Sequence, residues 1–292
     1  MTRVVTTVDQ LKVLSHESTR GAVLTMGALH QGHAQLMRRT RELIGADGLL
    51  VVTVFVNPTQ FNDPNDLAKY PRTLEADVAL CESVGVDVVF APTVDEMYPA
   101  GVELPQFFAG AVGEILEGAS RPGHFDAVAT VVHRLLSITD ADVTCFGEKD
   151  YQQLAAVRAM VEQSGLEVQV VGVPTVRDSD GLALSSRNVR LTAEERSIAT
   201  LIPQALFELA RVAESTGDIE AAIAAGKAIL ARSESIELDY LVVTSVDLAP
   251  APAAGPARAL VAVKLGDVRL IDNVPVNIGA ALISIEATGD TL

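Results

Sequence analysis

Two imidazoles three residues apart, His30 and His33, stand in the segment His30-Gln31-Gly32-His33 just after an apolar run and before a stretch with helical spacing. That order predicts a helix N-terminus, where both side chains fall on the same side of the first turn. Free backbone N–H groups and the helix dipole already favour an anion at such an end. Imidazoles add donors that can track charge moving onto a departing phosphate group. Gly27 and Gly32 leave room for close backbone approach by a nucleotide.

Three further polar groups have the right chemistry for the same task. Gly147-Glu148-Lys149-Asp150 offers Lys149 as a mobile point charge for phosphate and Asp150 for ribose hydroxyls. Leu184-Ser185-Ser186-Arg187 offers two hydroxyls and a guanidinium suited to β- and γ-phosphates. The neutral amides Asn57, Gln60 and Gln153 can both donate and accept, which suits a ligand carrying hydroxyl and carboxylate groups together. Arg121, in Arg121-Pro122-Gly123-His124, is a candidate for an anion site or an interface, whereas His124 and His133 read as structural. The GxxxxGK[ST] phosphate loop is absent. No serine or cysteine nucleophile stands in a convincing arrangement with a histidine, so a covalent enzyme intermediate is not expected.

The elements that must hold these groups follow from periodicity. Residues 21–26, 49–56, 86–92, 141–147 and 167–174 read as buried strands. Residues 74–85, 127–139 and 151–165 read as helices between them. Alternation of this kind predicts a parallel sheet covered on both faces, with ligands beyond the C-terminal strand ends. The polar motifs fall at those ends. After Asn188 the pattern changes to one long helix opened by a Thr192 cap, a second helix near 219–232, and short strands around 239–244, 258–264 and 268–272. The expectation is therefore a Rossmann-like α/β domain over 1–188 and a smaller α+β domain over 189–292, the latter a candidate lid.

Composition limits the rest. A net charge of −16 argues against a nucleic-acid partner, which needs a broad basic face, but not against a small anion in a locally positive pocket. No apolar run is long enough to span a bilayer, the first 14 residues do not read as a signal peptide, and Cys81 and Cys145 are too isolated to suggest a disulfide. A cytoplasmic location is expected.

Seven segments, TMGALHQGH (25–33), VFVNPTQF (54–61), YPRTLEAD (70–77), LEGASRPGHFDAVATVV (116–132), CFGEKDYQQL (145–154), VGVPTVRDSDGLALSSRN (171–188) and LGDVRLIDN (265–273), together resemble the pantothenate synthetase family. They run in family order over nearly the whole chain. The resemblance implies an ATP-dependent ligase that joins pantoate to β-alanine through a pantoyl adenylate, releasing AMP and diphosphate. It implies an ATP site made by Met26, Gly27, Ala28, Leu29, His30, Gln31, Gly32 and His33, with Gly147, Glu148, Lys149, Asp150, Val176, Leu184, Ser185, Ser186 and Arg187. His33 takes the proton-donor position, and His30, Lys149, Ser185, Ser186 and Arg187 join it on the phosphates. Gln60 is expected to touch both pantoate and β-alanine, Gln153 pantoate, with Asn57 and Tyr70 nearby. Mg2+ is implied, carried by the ATP phosphates; no protein ligand is assigned, although Asp77 is a candidate. A homodimer is also implied. Two residues depart from the family pattern: Leu24, where proline is common, and Ala127, where glycine is common. Either change is expected to affect efficiency through loop shape rather than identity. HxGH alone leaves open a nucleotidyltransferase acting on a phosphate-bearing acceptor, or a silent nucleotide binder; the amide constellation and the intact charged groups favour the ligase.

Overall fold

The computed structural model describes residues 1–14, 18–61 and 64–280. It forms two compact units, Met1–Pro174 and Thr175–Leu292.

The first unit runs β1 (Arg3–Val5), α1 (Val8–Lys12), β2 (Arg20–Thr25), α2 (Gln31–Ile44), β3 (Leu49–Val54), α3 (Pro64–Lys69), α4 (Leu74–Ser83), β4 (Val88–Phe90) and α5 (Val94–Met97). It continues with α6 (Glu117–Ser120), α7 (His124–Thr139), β5 (Val143–Gly147), α8 (Tyr151–Ser164) and β6 (Gln169–Val173). The six strands are all parallel, in the order β1-β4-β3-β2-β5-β6. The expected strands and helices are all present, within a few residues of the predicted limits. β1 and the short helices α1, α3, α5 and α6 were not predicted; three to six residues carry too little periodicity to register.

Burial on both faces explains why these strands read as continuous apolar runs. One face packs α2 and α4 through Val23, Met37, Leu50, Val52, Cys81 and Val89. The other packs α7 and α8 through Ala22, Val51, Phe90, Val132, Leu136 and Leu154. α2 lies so close to β2 that a Cβ on Gly21 would stand 2.3 Å from the Thr40 methyl. Leu24 sits within β2 opposite Thr53, and Ala127 sits within α7, bonded to the Gly123 carbonyl. Both departures thus occupy regular secondary structure that suits them.

The second unit contains α9 (Ala193–Ile198), α10 (Leu201–Thr216) and α11 (Ile219–Leu230), followed by β7 (Ile236–Ser245), β8 (Gly255–Leu265) and β9 (Val268–Ile278). The strands form an antiparallel sheet, β7-β8-β9, whose apolar face meets the helices through Leu206, Leu209, Val261, Val263, Leu265 and Ile278. The single helix expected after Thr192 is two helices. Pro203 lacks an N–H and its ring crowds the carbonyl of residue 199, so the first helix stops there and a new one starts at Leu201.

The unit boundary precedes the expected position at 188. Residues 175–188 belong to the second unit because their contacts lie there. Arg177 makes a two-pronged ion pair with the buried Asp272, at 2.6 and 3.0 Å, and also bonds the Asn273 carbonyl. Arg196 holds Asp178 and Asp180. Leu182 is part of the core.

Candidate active site

β2 and β5 are neighbours, but the chain leaves them toward opposite sides of the sheet: β3 and β4 lie beyond β2, and β6 lies beyond β5. The crevice at the C-terminal ends of such a pair is the ligand position in open α/β sheets. His30 and His33 follow β2, and Gly147–Asp150 follows β5, so the topology brings both motifs to this one crevice.

The imidazoles are built into the helix start. His30 is the N-cap of α2, and its Nδ1 accepts from the Gly32 N–H at 3.1 Å. His33 reaches back, its Nδ1 accepting from the His30 N–H at 3.2 Å. This is a capping box made of two histidines. A nitrogen that accepts from a backbone N–H carries no proton, so each ring is the neutral Nε2–H tautomer and its remaining hydrogen-bonding atom is a donor. The ring centroids are 4.1 Å apart. Burial, then the neighbouring His30, pushes the His33 pKa down to about 3. Burial and the nearby Lys149 charge lower that of His30. Lys149 and Asp150 act on both rings and pair with each other at 3.4 Å. The unit therefore presents two neutral donors and one ammonium together.

Asp77 makes the turn that leads to them. It is buried in the first part of α4, and its two oxygens accept from the N–H groups of Ala28 (3.1 Å) and Leu29 (2.8 Å); the Thr73 hydroxyl adds a third bond at 3.2 Å. Gly27 and Ala28 both have positive φ, 81° and 51°. At Gly27 a Cβ would come within 2.9 Å of the Asp77 carboxylate. Both Asp77 oxygens are thus engaged by the chain itself, which does not suit the metal-ligand role considered from sequence. Among the described residues no group of three or more His, Cys, Asp or Glu side chains forms a metal cluster.

Two of the three amides, Asn57 and Gln60, lie beside the same turn. Gln60 is buried; its Nε2 donates to the Met26 Sδ at 2.9 Å, and its Oε1 accepts from the Asn57 Nδ2 at 3.1 Å. Asn57 Oδ1 accepts from the Tyr98 hydroxyl (2.9 Å), the Thr59 hydroxyl (3.0 Å) and the Thr59 N–H (3.3 Å). Asn57 is therefore spent on internal bonds. Behind Gln60, its carbonyl accepts from Arg121 Nη2 at 3.2 Å and His124 Nδ1 at 3.0 Å, and Arg121 Nη1 donates to His124 Nε2 at 2.9 Å. Tyr70 packs edge-on against Phe61. Gln153 is half-buried, whereas its neighbour Gln152 is buried and ties down the Val112, Ile115 and Glu117 backbone.

In the second unit, Val176 and Leu184 are joined by a backbone bond at 2.9 Å that closes a hairpin over Arg177–Ala183. Ser185 and Ser186 are half-buried and Arg187 is exposed; the Arg187 N–H donates to Ser185 Oγ at 3.2 Å. Sequence reasoning missed Tyr98, Gln152 and the anchoring roles of Asp77 and Arg121. Their signal is contact across 35 to 61 residues, which no local pattern encodes.

Residues 2–275 match the profile of the pantoate-beta-alanine ligase family. The chain belongs to that family. The ligase is 51% identical to a pantothenate synthetase of Salinispora arenicola over 89% of this chain and 92% of the relative. Its fold matches a crystal structure of the Thermus thermophilus pantothenate synthetase with a TM-score of 0.87 and 46% identity, covering 93% of this chain and 98% of that one. It also matches, at a TM-score of 0.77 and 33% identity over 94% and 97%, the pantoate-beta-alanine ligase of Francisella tularensis complexed with beta-gamma ATP and beta-alanine. Its activity is the ligation of pantoate to β-alanine. Among the described residues no helix is long and apolar enough to cross a membrane.

Proposed function

We propose that the crevice at the ends of β2 and β5 holds ATP, and that the reaction runs through a pantoyl adenylate. The observation that carries this reading is the pair of imidazoles fixed as Nε2–H donors beside Lys149 at the start of α2. Pantoate carboxylate attacks the α-phosphorus, and negative charge builds on the departing diphosphate. His30, His33 and Lys149 donate to that charge without any change of protonation, supported by the positive end of the α2 dipole. Met26–His33 and Gly147–Asp150 shape the nucleotide pocket, and Ser185, Ser186 and Arg187 carry hydroxyl and guanidinium groups of phosphate-binding chemistry. Gln60 and Gln153 orient pantoate, with Tyr70 and the Arg121 anchor beside them. β-Alanine then attacks the acyl carbon as free amine, giving pantothenate and AMP. A water-poor crevice protects the adenylate.

Support for ATP and β-alanine as ligands comes from the Francisella enzyme, whose structure is complexed with beta-gamma ATP and beta-alanine. Mg2+ suits the nucleotide more than the protein: it keeps waters and phosphate oxygens and is seldom caged by side chains alone, and Asp77 is already occupied. The ion is assigned to the ATP phosphates. A cytoplasmic homodimer completes the reading.

The test is isotopically labelled ATP with pantoate, with and without β-alanine. Pantoyl adenylate should accumulate when β-alanine is withheld, and AMP should be released when it is added. AMP release that ignores β-alanine, or a stable dinucleotide product, overturns the assignment.

A further inference from the structure

The side chain of Gln60 has a fixed polarity, and the bonds that fix it begin at a backbone atom. The Thr59 N–H can only donate, and it points at the Asn57 amide, 3.3 Å from Oδ1. Reversing Asn57 would set an NH2 group against that N–H, so the oxygen must face it; the Thr59 and Tyr98 hydroxyls, which can turn either way, then donate to the same oxygen. Burial raises the Tyr98 pKa, which keeps its hydroxyl protonated and able to donate. The Asn57 NH2 therefore faces Gln60, whose accepting atom must be Oε1. Nε2 is then the donor end of Gln60, resting on the Met26 sulfur. Sulfur is a weak acceptor and exchanges readily for a carboxylate oxygen. The backbone cannot swing to relax this arrangement, because Arg121 and His124 hold the Gln60 carbonyl.

We propose that Asn57 is a positioning residue that obliges Gln60 to offer N–H, rather than C=O, to pantoate, and so selects the carboxylate over the corresponding neutral amide. An unlocked glutamine can meet either group by rotating about its last bond. A locked one makes a charge-assisted bond to the acid but only a neutral one to an amide carbonyl, and it cannot turn to accept from an amide NH2. The inference rests on the reading of Gln60 as a pantoate contact.

The experiment compares pantoate as substrate with pantoamide, its neutral amide, as competitive inhibitor. Asn57→Leu removes the lock at similar volume and without adding charge. It should raise the pantoate KM roughly tenfold, the scale of one charge-assisted bond, while pantoamide affinity is held or improved. The ATP KM should stay near the wild-type value. Tyr98→Phe should change little, since Thr59 alone still orients Asn57. In the wild type, nuclear Overhauser contacts should join the Gln60 NH2 protons to the Met26 methyl, a reading that needs no variant to fold. Absence of that contact overturns the proposal, as does an Asn57→Leu enzyme with an unchanged pantoate-to-pantoamide ratio or with ATP and pantoate KM raised alike. Gln60→Ala separates the two levels. If it leaves the pantoate KM unchanged, the site reading fails. If it raises that KM while Asn57→Leu leaves the ratio intact, the polarity lock alone fails.

Discussion

Replacing Asp77 should loosen the nucleotide turn and the fold together, in proportions that can be worked out. The carboxylate receives two backbone N–H groups and one hydroxyl. Hydrogen bonds to a charged group contribute roughly 1.5–3 kcal/mol each, so the two backbone bonds set an upper bound of about 3–6 kcal/mol for Asp77→Ala. Ala28 and Leu29 are only half-buried, so water replaces part of the loss, and a destabilisation of about 2–4 kcal/mol is expected. At roughly 2–4 °C per kcal/mol, melting should fall by about 5–15 °C. Asp77→Asn keeps one acceptor and turns an NH2 against the other N–H, so it should fold with a smaller loss. Its ATP affinity should nevertheless drop about tenfold, because some 1.4 kcal/mol of turn preorganisation is gone. Ala28 holds a left-handed conformation that costs a non-glycine residue about 1 kcal/mol, so Ala28→Gly should restore part of that affinity in the Asp77→Asn background. The assays are thermal melting and isothermal titration with a non-hydrolysable ATP analogue. An Asp77→Asn protein that melts and binds like wild type refutes the reasoning. So does a defect cured entirely by excess Mg2+, which would make Asp77 a metal ligand instead of a backbone anchor.

His33→Ala and Lys149→Ala should each lose most activity while keeping wild-type circular dichroism. Because His33 is neutral when folded, with a pKa near 3 against about 6.5 unfolded, the unfolded chain binds the extra proton between those values. Its contribution to stability is complete above pH 6.5 and is lost progressively as pH falls toward 3; denaturant titrations across that range should show the loss, and His33→Gln should reduce it. Arg177→Leu strands the buried Asp272 and should cost about 2–4 kcal/mol in urea unfolding. Gly21→Val should cost about 1–3 kcal/mol, because its side chain meets Thr40 of α2; unchanged unfolding would show that α2 can shift off β2.

The parallel sheet was legible because burial on both faces writes itself as unbroken apolar runs such as Leu49–Val54. The histidine pair was legible because a helix start imposes local spacing, and both its capping bonds span three residues or fewer. Legibility ended where the partner is far along the chain. Nothing around Asp77 announces that its acceptors serve residues 28 and 29, so its carboxylate looked as fit for a metal as for a backbone. The boundary at 188 followed a change of pattern, whereas the segment's allegiance is set by Arg177 reaching Asp272 across 95 residues. The break before α10 was visible in principle: Pro203 is a local signal, and the apolar spacing around it outweighed it in the reading.

A chain with net charge −16 must bind a small, densely charged anion, and a cluster of permanent cations would be the obvious means. On the proposed reading the first unit meets it with one lysine and two imidazoles that burial keeps uncharged. Neutral donors hold ground-state triphosphate less tightly than cations would, yet their bonds strengthen as charge moves onto the leaving oxygens. Protonating either ring at Nδ1 would break the cap that positions it, so helix geometry and protonation state are one property. Substituting asparagine at His30 tests this directly, since asparagine retains an acceptor for the Gly32 N–H but has no group at the Nε2 position. The fold should survive, and the loss should fall on kcat rather than on ATP binding. An equal loss in both would show that His30 holds the ground state as tightly as the transition state.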